Sequence, residues 1–143
     1  LVHRMKGLFP NLHISINGGI TSLDQAEAFL DAGLDGVMIG RSAYHNPTDI
    51  LAQADRRIYG TGADATPEDV VAQMLPYIDA HIDGGGKLNQ ITRHMMGLFA
   101  GRTGARVWRR TLSEQASRPG ADRQVLLEAL DAMQTLAEAQ EAV

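Results

Sequence analysis

The sequence predicts a chain in two parts, an α/β segment followed by an all-α one. Two short apolar segments in residues 12–40 each end in glycine and flank a helical pattern, and from Thr66 onward every apolar repeat is helical. At 143 residues with 44% hydrophobic content, the chain can bury one core plus a small annex.

Taken in order, Leu12, Ile14 and Ile16 alternate with His13 and Ser15, the period-two pattern of a strand, which Asn17-Gly18-Gly19 stops. Ser22 with Gln25 three residues later forms a capping-box pattern. Ala26, Phe29 and Leu30 give that helix its apolar face, and Gly33 is placed to end it. Gly36-Val37-Met38-Ile39 is a short buried strand closed by Gly40-Arg41. Strand, helix and strand over this length make a βαβ unit, whose strands run parallel. Asn46-Pro47 opens a short helix to about Ala54, and Gly60-Thr61-Gly62 marks a loop.

Thr66-Pro67-Glu68-Asp69 then supplies a cap, a proline at the first helical position and early acids. Val70, Met74, Leu75, Ile78 and Ile82 continue that helix until Gly84-Gly85-Gly86. Ile91, Met95, Leu98 and Phe99 predict a second helix ending near Gly101. Ala105, Trp108 and Leu112 predict a third, and Leu126, Ala129, Leu130, Met133 and Leu136 a fourth. The expected boundaries are 1–62 for the α/β part and 66–143 for a four-helix bundle.

Composition removes several classes of function. The sequence has no run approaching the ~20 consecutive apolar residues of a membrane span, and its N-terminal residues lack the pattern of a secretory leader, so a cytoplasmic location is expected. With no cysteine, disulfides, thiolate metal sites and a catalytic thiol are all excluded within these residues. His3, His13 and His81 have no partners at metal-ligand spacing, so no metal is expected.

The formal charge of the chain is -4, yet Lys87 to Arg118 holds seven basic residues against the single acid Glu114. A solvated basic face and a local anionic partner both account for this asymmetry. Arg106, Arg109 and Arg110 fall within about one quadrant of a helix, with Arg102 expected one turn earlier, while Trp108 faces the other way with Ala105 and Leu112. Trp108 therefore reads as a core anchor, and the arginines as a stripe suited to phosphate oxygens. Arg93 and His94 are weaker candidates for the same surface.

The two glycine turns point to an anion site in the α/β part. Glycine lets the backbone N–H approach an anion closely, and turns that end two neighbouring parallel strands open on the same edge of the sheet. Asn17, Gly18, Gly19 and Gly40 supply such turns, and Arg41 adds charge. This is the place of the phosphate site in many (β/α)8 barrels, formed by the loops after the last two strands.

The segments SINGGI, DGVMIGRSAYHNP and ITRHMMGLFAGRTGARVWRRTLSE resemble, in order and spacing, the C-terminal part of the tRNA-dihydrouridine synthase A family. The resemblance implies the end of an FMN-binding (β/α)8 TIM barrel followed by a helical tRNA-binding domain. It implies an oxidoreductase that uses FMN and NADPH to reduce the C5–C6 double bond of a D-loop uridine, at position 20 or its neighbour 20a. Asn17, Gly18, Gly19, Gly40 and Arg41 would hold the flavin phosphate, and Arg106 and Arg109 would contact tRNA, joined by Arg110, Arg102 and Arg93. Synthases of this kind carry a catalytic cysteine and most of the flavin pocket in an N-terminal barrel portion that this sequence does not contain. The chain by itself is accordingly expected to be inactive, to bind FMN weakly, and to present an apolar face to the missing barrel half. Two other readings are a non-catalytic RNA-binding module and a different FMN-dependent barrel acting on a small molecule, against which the GARVWRR segment tells.

Overall fold

The computed structural model describes residues 1–141, the side chain of Glu141 excepted. The chain divides into two compact units, Leu1–Asp64 and Ala65–Val143.

The first unit contains α1 (Val2–Leu8), β1 (Ser15–Asn17), α2 (Leu23–Asp31), β2 (Gly36–Met38), α3 (Arg41–His45) and α4 (Pro47–Tyr59). β1 and β2 pair in parallel, with Ser15 opposite Gly36, Ile16 opposite Val37 and Asn17 opposite Met38. Parallel pairing requires a crossover, and α2 provides it. Ser22 starts α2 by accepting from the Gln25 backbone N–H at 3.2 Å, while Gln25 Oε1 accepts from the Thr21 backbone N–H at 2.8 Å. The second bond thus lands one residue ahead of the cap itself. α4 runs beyond the expected Ala54 to Tyr59, where Gly60 closes it in the left-handed conformation.

Two polar clusters tie this unit together. Asp35 Oδ2 accepts from Ile14 N–H at 2.8 Å and from Lys6 Nζ at 2.6 Å, joining α1 and the approach to β1 to the turn before β2. The Ile14 bond, then Lys6, holds the Asp35 carboxyl below its ordinary range. Arg57 on α4 donates to Glu27 at 2.8 and 2.6 Å and to Asp24 at 2.5 Å, clamping α4 to α2. Among the described residues only Ile20, Leu23, Ala26, Leu34 and Ile50 of this unit are buried hydrophobics. Leu12, Met38 and Leu51 are more than half exposed. The unit therefore shows the apolar surface expected of sheet and helix faces that need further partners.

The second unit holds α5 (Pro67–Asp83), α6 (Asn89–Thr92), α7 (Ala105–Gln115) and α8 (Gln124–Glu141). Fifteen buried residues form one continuous core here, centred on Val71, Ile78, Phe99, Trp108, Leu112 and Leu126. Thr66 starts α5 with a full capping box. Its Oγ1 accepts from Asp69 N–H at 3.1 Å, and Asp69 Oδ2 accepts from Thr66 N–H at 3.2 Å.

The expected four long helices are not all present. The second one, predicted over Ile91 to Gly101, is the single turn α6 followed by a chain of tight turns. Met95 N–H donates to Thr92 O at 2.9 Å, Leu98 to Met95 at 3.1 Å and Arg102 to Phe99 at 3.1 Å, each three residues back rather than four. Apolar residues at 91, 95 and 98 fit either period, and Gly97 and Gly101 remove the stiffness that would favour a continuous helix. Trp108 Nε1 donates to the carbonyl of Met95 at 2.9 Å, a buried bond that ties the ribbon to α7. Among the described residues, no helix is long and apolar enough to cross a membrane.

Candidate phosphate cradle and basic helix

Parallel pairing of β1 and β2 brings the loops after both strands to one edge of the first unit. There Asn17, Gly18, Gly19, Gly40 and Arg41, all five predicted from the sequence, line a single cleft of about 520 Å³. Thr21, Ser42, His45 and Asn46 line it as well. Of these, Asn46 reads in the sequence only as the opening of a helix. Ser42 and Thr21 carry no local signal beyond lying one and two residues past the glycine turns.

The cleft has the chemistry of an anion cradle. Gly18 and Gly19 have φ of 121° and 70°, so a side chain there would be strained. A Cβ added to either would meet no atom within 4 Å, standing instead in open space. Among the described residues, the backbone N–H groups of Gly18, Gly19, Gly40 and Arg41 find no acceptor, and the Arg41 guanidinium has no carboxylate partner. Exposed donors without acceptors, one added positive charge and an absence of carboxylates in the lining are what a phosphate monoester requires. The residues present therefore fit a terminal phosphate group.

The second unit carries the predicted arginines. α7 buries Ala105, Trp108 and Leu112 and exposes Arg106, Arg109 and Arg110 on its opposite side. Trp108 is fully buried, with the Phe99 ring edge-on at 4.8 Å between centroids, and so acts as a core anchor. Among the described residues, Arg106, Arg109 and Arg110 make no ion pair.

Arg102 and Arg93 differ from that trio. Gly104 caps α7, so Arg102 lies in the preceding turn rather than one helical turn earlier, and its Nη1 donates to both Glu68 oxygens at 3.2 and 3.3 Å. Arg93 Nε donates to His94 Nε2 at 3.0 Å. Three of the five predicted arginines are thus brought together on one helix face, and two are placed elsewhere with partners of their own.

A parallel β/α pair with an anion-cradle geometry at its strand ends, joined in sequence to a helical unit with a basic helix face, defines an α/β chain with a cationic all-α extension. The sequence model of the family described as dihydrouridine synthase (Dus) matches residues 2–138. The chain belongs to the dihydrouridine synthase family. It is 54% identical over 135 residues to a tRNA-dihydrouridine(20/20a) synthase of Shewanella oneidensis, covering 94% of this chain and 40% of the relative. It is 54% identical over 130 residues to the enzyme of the same description from Escherichia coli K12, and 46% identical over 129 residues to that of Vibrio parahaemolyticus. Each of these covers 90% of this chain, and 37% and 39% of the respective relatives. The chain thus spans about 40% of the length of the curated relatives it matches.

Proposed function

We propose that this chain supplies the C-terminal part of a flavin-dependent tRNA-dihydrouridine synthase acting on the 20/20a uridines, working in the cytoplasm. The observation that carries the reading is the 54% identity to synthases of that description across 94% of the chain. The geometry supports it independently through the anion cradle of the first unit and the unpaired arginines of α7.

In this reading Asn17, Gly18, Gly19, Gly40 and Arg41 hold the FMN phosphate through backbone N–H groups and one guanidinium. Bound there, the flavin supplies hydride chemistry for reducing the uracil C5–C6 bond, with NADPH as the source of electrons. The residues of this chain bind and orient. The cysteine that acts as proton donor in synthases of this kind has no counterpart among these residues. Arg106, Arg109 and Arg110 contact the tRNA backbone, with Arg102 and Arg93 at the margin of that surface. Phosphate contacts of this kind position an RNA without reading its sequence.

Activity requires the rest of a barrel. Two parallel strands cannot close one, since closure needs all eight. The exposed Leu12, Met38 and Leu51 give the first unit an apolar surface for the missing strands and helices. The test is complementation: this chain is co-expressed with the N-terminal portion of the Escherichia coli relative and supplied with FMN, NADPH and unmodified tRNA. Dihydrouridine is expected from the pair and from neither piece alone. Turnover by this chain alone, or none from a co-purifying pair, would refute the assignment.

A further inference from the structure

A second cationic cleft lies in the helical unit. It has a volume of about 360 Å³ and forms where the loop before α6 meets the loop between α7 and α8. Lys87 and Arg118 both line it, with Leu88, Asn89, Ser117 and Gly120. No carboxylate lines it, and among the described residues neither Lys87 nor Arg118 pairs with one.

The lining is rich in donors. Asn89 Nδ2 donates to Ser117 Oγ at 3.2 Å, fixing one loop to the other across 28 residues of sequence. Among the described residues, the backbone N–H groups of Leu88, Asn89, Ser117 and Gly120 find no acceptor. Arg118 Nε donates to the Glu114 carbonyl at 3.2 Å, so the guanidinium is anchored at the C-terminal end of α7. Two cations, several N–H donors and a hydroxyl around a concave space are complementary to a phosphate group.

We propose that this cleft holds a backbone phosphate of the bound RNA, as a contact additional to the arginine face of α7. The inference rests on the reading that the helical unit binds tRNA. α7 has 11 residues and is therefore roughly 16 Å long. An RNA strand meeting Arg106 near its start reaches the cleft at its end within a few nucleotides. A free phosphate or nucleotide presents the same chemistry, and the experiment separates the two sources.

Binding of unmodified tRNA is measured by filter retention across a salt series for the full chain, for Lys87→Ala with Arg118→Ala, and for Arg106→Ala with Arg109→Ala. Arg56→Ala serves as the control, since that arginine is paired with Asp64 in the other unit. Each double variant is expected to weaken binding about tenfold and to lower the salt slope by about one per lost phosphate contact. Both replaced side chains in the cleft are exposed, and unchanged Trp108 fluorescence verifies the fold. Wild-type affinity and slope in the Lys87/Arg118 variant, with a loss in the Arg106/Arg109 variant, overturns the cleft assignment and leaves tRNA binding standing. No tRNA binding by the parent chain overturns both. Inorganic phosphate is titrated in parallel against the backbone amide resonances of residues 87–89 and 117–120. Shifts there, combined with unaltered tRNA binding by the Lys87/Arg118 variant, make the cleft a small-anion site and overturn the RNA assignment.

Discussion

Trp108 and Met95 are joined by a hydrogen bond between the indole N–H and a main-chain carbonyl, 2.9 Å long and wholly buried. That carbonyl also accepts from Leu98 N–H at 3.1 Å. One side chain thus fixes both the core of the helical unit and the path of the irregular ribbon between α6 and α7. Trp108→Phe keeps most of the ring volume and its contact with Phe99 but removes the donor. A loss of roughly 1–3 kcal/mol is expected, the cost of impairing a buried polar contact. Urea unfolding of the full chain, followed by far-ultraviolet circular dichroism, measures it. A change under 0.5 kcal/mol would show that the ribbon is held by its apolar contacts alone.

The Thr66–Asp69 box predicts an acid-sensitive start to α5. The Thr66 hydroxyl, followed by its backbone N–H, lowers the Asp69 carboxyl below its ordinary value. A group depressed in the folded state contributes stability that is fully present above its unfolded value of 3.8 and is lost as pH falls through the folded one. Asp35, held down by Ile14 N–H and Lys6, has the same sign. The chain should therefore lose stability steadily below about pH 4. Thr66→Ala should cost about 1 kcal/mol at neutral pH as a lost cap, and should flatten the acid limb. Thermal melts of both proteins between pH 2.5 and 7 check the sign; an unchanged acid limb in the variant would remove Asp69 from the account.

Gly104 is required on two counts. Its φ is 80°, and a Cβ built there would lie 3.1 Å from Met133 Cα, against the backbone of α8. Backbone cannot move aside as a flexible side chain does, so Gly104→Ala forces α7 and α8 apart or distorts the cap of α7. Left-handed strain alone costs roughly 1–2 kcal/mol, and overpacking adds roughly 1–3 kcal/mol more. Gly101 is also at positive φ, but a Cβ there meets nothing within 4 Å, so Gly101→Ala should cost only the strain. Equal melting temperatures for the two variants would contradict this ordering.

The regular elements were legible where a local signal coincided with burial. Ser22 and Gln25 marked the start of α2, and Thr66 with Pro67 that of α5, because caps are written in adjacent residues. The glycine turns are likewise local, and the five residues named from them line one cleft. α1 was not predicted: Leu1, Met5 and Leu8 stand at helical spacing, but the element is only 7 residues long, contains Gly7 and buries none of its residues. The ribbon after α6 was misread because its spacing suits two periods, and only the Met95 carbonyl meeting Trp108, thirteen residues on, decides between them. The Lys87–Arg118 cleft was invisible for a related reason: its two loops lie some 30 residues apart and meet only in the folded chain.

Arg41 is the one charged side chain in the lining of the first-unit cleft, which makes it the sharpest probe of the proposed flavin site. A charge-assisted hydrogen bond contributes about 1.5–3 kcal/mol, so Arg41→Ala should weaken FMN binding about ten- to a hundredfold in the complemented pair. Riboflavin lacks the phosphate and should bind equally to both proteins. Flavin fluorescence quenching reads both affinities. If Arg41→Ala weakens riboflavin as much as FMN, the guanidinium is not at the phosphate.

Arg102 and Arg106 differ in what already occupies them, and this orders their roles at the proposed RNA surface. Arg102 is engaged by Glu68 at 3.2 and 3.3 Å, whereas Arg106 has no carboxylate partner among the described residues. Both partners of the Arg102–Glu68 pair are about half exposed, at 47% and 41%, so the pair itself adds little to stability. For an approaching phosphate, however, Glu68 cancels most of the attraction of Arg102 and must be displaced. Arg106→Ala is therefore expected to weaken tRNA binding more than Arg102→Ala. Glu68→Gln should strengthen binding several-fold at low salt by freeing a cation, and the gain should disappear in Glu68→Gln with Arg102→Ala. Filter binding at several salt concentrations distinguishes these outcomes, since a newly engaged phosphate contact also steepens the salt dependence. If Glu68→Gln tightens binding equally with and without Arg102, the carboxylate acts through long-range repulsion of the RNA, and Arg102 lies off the surface.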